Sequence, residues 1–154
     1  MTTQIPTGRL QLVEHAPRPY AAMARLEAAI EFDPGLRELV KLRASQLNGC
    51  AFCIDMHWKD ARAAGESEER LYLLDAWRES PLYSRRERAA LALCEAVTLV
   101  ADGHVSDAVW DEAHAVFPDA ELAELVFAIT AINAWNRLAI TTRLQPGRDV
   151  PVAA

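Results

Sequence analysis

Asn48-Gly49-Cys50-Ala51-Phe52-Cys53-Ile54-Asp55-Met56-His57 is the stretch from which the rest of the chain can be read. Asn-Gly is a strong stop for whatever helix precedes it. Beyond it no glycine or proline interrupts the chain until Gly65. The pattern predicts a helix from about Cys50 to Ala64, ended by Gly65. On such a helix residues advance by about 100° each, so Cys53 lies about 60° from Cys50 and His57 projects between them. Cys53 and His57 stand at i and i+4, the spacing that brings side chains together. Cys50 sits where free amide donors and the positive helix end favour a thiolate. A depressed thiol pKa is what attack on a peroxide or a disulfide requires. His57 is placed to accept a proton from Cys53 or to pair with its thiolate.

Two other readings fit the same residues. Helical cysteines are often small buried hydrophobes. Cys50, Cys53 and His57 could also furnish three metal ligands with an open fourth position. Structural zinc sites draw four ligands from two segments, and a second Cys/His cluster is missing, so no metal is expected.

Working upstream, Asp33-Pro34 reads as an N-cap followed by proline at the first helical position. Leu36, Leu39, Val40 and Leu47 continue that helix to Asn48-Gly49. Glu38 lies on it, and a hairpin turning at Asn48-Gly49 could lay it beside the cysteine helix. Spacing does not decide whether Glu38 faces the thiols. Residues 19–31 have helical spacing through Ala22, Met23, Leu26, Ala29 and Ile30. Residues 1–18 lack a period and read as an extended arm. Downstream, Ser67 opens a short helix broken at Glu79-Ser80-Pro81. Ser84 and Glu87 form a capping box for a helix ending near Gly103. Ser106 caps another, and Pro118-Asp119 opens the last, roughly 120–142. That helix is apolar on most sides, which predicts burial either centrally or between subunits. Pro146-Gly147 ends it. The expectation is an all-α, single-domain bundle of about seven helices over 19–146, with a loose tail at 147–154.

The chain has 154 residues, 51% hydrophobic and 25% charged, enough for one domain with one core. Its net charge of −6 disfavours nucleic acid and anionic membrane surfaces. No run is long and apolar enough to span a bilayer, and Met1 to Arg9 lacks an apolar signal core. Three cysteines without an export signal argue against a structural disulfide framework and for a cytoplasmic redox or metal role for the close pair. Cys94, among Leu91, Leu93, Ala96 and Val97, reads as core. His15, His104 and His114 read as surface residues. Trp58, Trp77, Trp110 and Trp135 read as core or interface anchors. Arg85-Arg86-Glu87-Arg88 reads as a solvated helix start. No phosphate loop or dinucleotide fingerprint is present, and no cofactor is expected.

Glu38 followed by Cys50-x-x-Cys53-x-x-x-His57 resembles the core motif of the AhpD-like alkylhydroperoxidases, within the carboxymuconolactone decarboxylase superfamily. Leu42-Arg43-Ala44-Ser45-Gln46 and Asn133-Ala134-Trp135-Asn136-Arg137-Leu138 add context, and the likeness runs from about Pro17 to Pro146. The resemblance implies an AhpD-like helical fold and a thiol peroxidase. Cys53 would be the peroxidatic thiol, passing through a sulfenic acid. Cys50 would be the resolving and more accessible thiol, closing a Cys50–Cys53 disulfide. His57 and Glu38 would relay the proton. The partners implied are a hydroperoxide, an external dithiol reductant such as a lipoylated protein, and further copies of the chain in a trimer or hexamer. One departure is Phe52, where the best-known members carry a second histidine; the relay must then be shorter or different. The decarboxylase branch typically lacks the cysteine pair. The alternative on the same thiols is a thiol–disulfide oxidoreductase or redox sensor; a third is a non-enzymatic assembly protein with incidental thiols.

Overall fold

The computed structural model describes residues 8–147, and its ordered elements are all helical. In chain order they are α1 (Leu12–His15), α2 (Pro17–Ala29), α3 (Pro34–Asn48), α4 (Ala51–Ala63), α5 (Glu68–Tyr72), α6 (Arg85–Thr98), α7 (Asp107–His114) and α8 (Asp119–Thr142). A single 3₁₀ turn, Leu74–Ala76, follows α5. The described residues contain no strand, and no helix long and apolar enough to cross a membrane.

The capping signals act as the sequence predicts. Asp33 Oδ1 accepts from the Leu36 amide at 2.8 Å, with Pro34 beside it at the helix start. Ser84 and Glu87 close a full capping box, and Ser106 caps α7 through the Val109 amide. The eighth helix, beyond the seven expected, is α1. The extended reading of residues 1–18 therefore fails over Leu12–His15 and at Pro17 and Arg18, which begin α2. Four residues give no measurable period. Pro17 and Pro19 fall in the first turn of α2, where a missing amide costs nothing and the fixed φ helps. The rest of that arm, residues 1–7, and the tail from 148 onward lie outside the described residues.

The central helix is α3, which packs against α4, α6 and α8. Leu39 through Ser45 are buried without a break, including Lys41 and Arg43. Two charges survive there because each is paired: Lys41 with Glu27 and Glu38, Arg43 with Asp75 and Glu95. The more apolar α8 buries one face, through Leu122, Leu125, Ile129 and Ile132, and leaves Phe127 and Ile140 about half exposed. Burial of α3 thus follows from its place between neighbours and from the pairing of its charges; a larger share of apolar side chains is not what puts it there.

A buried polar seam joins α3, α6 and α8. Asn48 Nδ2 donates to Asn133 Oδ1 at 2.9 Å and Asn136 Oδ1 at 2.8 Å. Asn136 Nδ2 donates to Ser45 Oγ, and Asn133 Nδ2 to Thr98 Oγ1. This seam fixes the end of α3, and with it the turn into α4. Cys94 is fully buried in the core as expected, and burial pushes its thiol up to about 12.

Candidate active site

The turn between α3 and α4 sets the site. Gly49 takes the left-handed conformation, φ 69°, and the Cys50 amide closes back onto the Ser45 carbonyl at 3.0 Å. Cys50 is therefore the N-cap of α4, not its first helical residue. Its Sγ accepts from the Cys53 amide at 3.3 Å. Cys50 and Cys53 form a disulfide with Cα atoms 5.3 Å apart. The pair packs with Ala139 of α8, Phe52 and Leu144. Leu144 arrives there because α8 ends in a left-handed Arg143, and the Leu144 amide closes onto the Ala139 carbonyl at 3.0 Å.

One expectation about the pair is corrected. Cys50 is not the more accessible thiol: Cys50 is 1% and Cys53 2% exposed. Of the two, Cys53 lines the adjoining cavity. The N-cap position draws the Cys50 sulfur inward over the amides of its own helix, and the neighbouring apolar side chains cover it.

His57 is buried one turn along α4, and its Nδ1 lies 2.8 Å from Glu38 Oε2. The helix hairpin thus brings Glu38 to the site, which spacing alone left open. Burial by itself would raise the Glu38 carboxyl. The hydrogen bond from His57 and the charges of His57, Lys41 and Arg37 outweigh it and hold the group below its ordinary range. The other ring nitrogen, Nε2, is buried with no hydrogen-bond partner among the described residues. It belongs to the side chain that stands at i+4 from Cys53.

The cavity measures about 510 Å³, within the usual span of small-molecule sites. Met56, Ile132, Trp135 and Leu138 give it an apolar wall, and Phe52 adds a ring where the resemblance places a histidine. Leu12 and Val13 of α1 and Tyr20 of α2 complete it, with Tyr20 set edge-on to Trp135 at 5.3 Å. Trp58 and Trp77 instead join the core cluster between α3 and α6, while Trp110 is 43% exposed and stacks on His114. His15, His104 and His114 lie at the surface.

Sequence reasoning missed Glu27, Lys41 and Asp60 at the polar end of the cavity. Signals existed for two of them: Lys41 follows Glu38 by three residues, and Asp60 follows His57 by three. Glu27, on another helix, gave none. Glu38, His57 and Asp60 present donor atoms within 4.8 Å of one another. Because His57 Nδ1 is engaged by Glu38 and the Lys41 ammonium lies 3.7 Å from the same carboxylate, this trio is better suited to holding and passing protons.

Comparison with known proteins agrees with the geometry. The uncharacterized protein YdfG of Bacillus subtilis is 48% identical over 104 residues, covering 68% of this chain and 71% of that one. A crystal structure of a protein of unknown function from Agrobacterium tumefaciens, proposed as the antioxidant defence protein AhpD, superposes with a TM-score of 0.89 at 38% identity. It covers 93% of this chain and all of that one. The debrominase Bmp8 shares the fold, with a TM-score of 0.78 at 20% identity over 88% of this chain and 75% of that one. The sequence profile of the carboxymuconolactone decarboxylase family matches residues 14–96. With the AhpD-like fold and the Cys50–Cys53 pair already in view, the chain belongs to the carboxymuconolactone decarboxylase family as an AhpD-like member.

Proposed function

We propose that the protein is a thiol peroxidase that reduces organic hydroperoxides through a Cys50–Cys53 cycle. The observation that carries this reading is a buried Cys50–Cys53 disulfide at the start of α4, with Cys53 at a cavity and His57 clasped by Glu38 beside it. In the reduced enzyme the Cys53 thiolate attacks the terminal oxygen of R–O–O–H. The S–O bond forms as the O–O bond breaks, and the alkoxide takes a proton through His57 and leaves as the alcohol. Cys50 thiolate then displaces hydroxide from the Cys53 sulfenic acid, closing the disulfide, and the hydroxide is protonated to water. An external dithiol returns two electrons and two protons. Burial of both sulfurs favours small peroxides over protein disulfides as oxidants, which sets peroxidase above disulfide exchange. It also asks for a slender reductant, such as a lipoyl arm on a partner protein, reaching Cys53 through the cavity.

The test is mass mapping of thiols after one equivalent of cumene hydroperoxide is added to reduced protein, with Cys94 as internal control. The expected product is a Cys50–Cys53 disulfide with Cys94 still reduced. Cys53→Ser abolishes peroxide consumption, whereas Cys50→Ser allows a single turnover to a trapped sulfenic acid. Equal behaviour of the two variants refutes the assigned roles. Oxidation by a small disulfide but not by peroxide moves the assignment to thiol–disulfide exchange. We further propose a trimer or hexamer, supported by Phe127 and Ile140, two large apolar side chains that α8 leaves about half exposed. A strictly monomeric species in light scattering refutes it.

A further inference from the structure

Two buried cations sit on α3, and they serve different places. Arg43 pairs with Asp75 and Glu95, outside the cavity. Lys41 lines the cavity, although its side chain is only 8% exposed. Taking an ammonium out of water is costly, and an apolar side chain of similar size often serves a core as well or better. What an apolar side chain cannot supply is charge, and the charge of Lys41 falls on the carboxylate that orients His57. Glu38 Oε2 engages His57 Nδ1 at 2.8 Å, while Lys41 Nζ stands 3.7 Å from the other oxygen, Oε1. Glu27 of α2 pairs with the same ammonium. Glu27, Lys41, Glu38 and His57 thus form a file across three helices. It ends at His57 Nε2, buried with no hydrogen-bond partner among the described residues, on the side chain at i+4 from Cys53.

An imidazole that donates from Nδ1 to an ionised carboxylate keeps its lone pair on Nε2, the form able to take a proton from Cys53. A protonated Glu38 imposes no such preference. Burial opposes the ionised carboxylate; the hydrogen bond and charge of His57, then the charges of Lys41 and Arg37, outweigh it. The other charged groups nearby give no help. Glu27 and Asp60 are carboxylates with partners of their own. Glu95 of α6 is taken up by Arg43, Trp77 and Arg78. The side chains that α8 brings to the cavity, Ile132, Trp135, Leu138, Ala139 and Thr142, are uncharged.

We propose that Lys41 is a positioning residue of the proton relay: acting through Glu38, it holds His57 in the form that accepts at Nε2. This deepens the peroxidase reading and rests on it for the role of Cys53. Lys41 touches neither thiol nor substrate in this role, and its whole effect passes through one carboxylate.

The charge is read first on Glu38 itself, by carbon NMR of its carboxyl in the full chain in the disulfide form, without turnover. Lys41→Met is expected to move the Glu38 midpoint up by at least about one pH unit, and Lys41→Arg to keep it within about half a unit of the wild type. The second readout is peroxide consumption by the reduced protein. Lys41→Met is expected to lose about tenfold in kcat/KM, but less than about twofold when introduced into Glu38→Gln. A lysine that merely supports the fold would cost the same in both backgrounds. An unmoved Glu38 midpoint, a Lys41→Arg that behaves as Lys41→Met does, or equal losses in the two backgrounds overturns the proposal. If Lys41→Met does not fold, it is combined with Glu27→Gln and compared with Glu27→Gln alone, which removes the carboxylate that methionine would strand. If the wild type leaves peroxide untouched, the rate is taken instead from iodoacetamide alkylation of reduced Cys53, mapped by mass. A loss there that vanishes in Glu38→Gln keeps the role of Lys41 while the peroxidase reading falls.

Discussion

His57 owes its orientation to one carboxylate, and that dependence is measurable. Replacing Glu38 by Gln leaves the contact its shape but removes its charge, so His57 loses the charged group that holds its ring. Peroxidase kcat/KM should fall about 10²-fold, the lower end of what general acid–base groups contribute. The same variant has a pH signature. Glu38 titrates below its ordinary value of 4.5 in the folded protein. A carboxylate lowered in this way adds stability that is complete above its unfolded value and is lost as pH falls through the folded one. The melting temperature of the wild type should therefore exceed that of Glu38→Gln above pH 4.5, and the gap should shrink on acidification below it. A gap that widens in acid contradicts the assignment. Cys50, Cys53 and His57 were legible because Cys50 caps the helix that carries the other two, where spacing dictates direction. Glu38 was legible only through the family resemblance, since its meeting with His57 crosses between helices. Glu27 crosses from a third helix, and nothing in its local sequence marks it.

At the scale of elements, the turn at Gly49 does most to place the cysteines. A side chain there would meet nothing within 4 Å, so the cost of Gly49→Ala is conformational: the left-handed φ of 69°. That penalty is about 1–2 kcal/mol and should appear in denaturant unfolding. Gly35, inside the first turn of α3, has no such backbone, and a Cβ there makes an ordinary contact with Asp33 Oδ1 at 3.6 Å. Gly35→Ala should be neutral or stabilising by up to about 1 kcal/mol. Equal losses at the two glycines would refute this account of the turn. Helix starts were readable because Asp33, Ser84 and Ser106 each supply an oxygen to an otherwise unpaired amide. The start of the chain was not, because α1 is a single turn whose N-cap, Gln11, makes no side-chain bond.

For the whole molecule, the sequence shows that the chain is helical more readily than which helix is central. The apolar α8 reads as buried either centrally or between subunits, and it is α3, its charges paired, that packs against α4, α6 and α8. The polar seam behind the site depends on the same helices. Asn136→Ala would take one hydrogen bond from each of Ser45, which keeps its bond to the Lys41 carbonyl, and Asn48, which keeps its bond to Asn133. With about 0.5–1.5 kcal/mol for each lost hydrogen bond, the variant should unfold at lower denaturant while the α-helical signal of the surviving fold is kept. A midpoint unchanged from the wild type would show that the seam is dispensable. The opposite holds for α2, which supplies Tyr20 and Glu27 to the cavity but contains no buried residue. Even so, its Leu26 packs against the core and its Glu27 pairs with the buried Lys41, which leaves Tyr20 and Ala24 as cavity-facing positions that can change without stranding a buried charge. Those two side chains can be exchanged at little cost to stability. A library randomised at Tyr20 and Ala24, with Glu27 kept to hold Lys41, should yield mostly folded proteins with divergent ligand tastes.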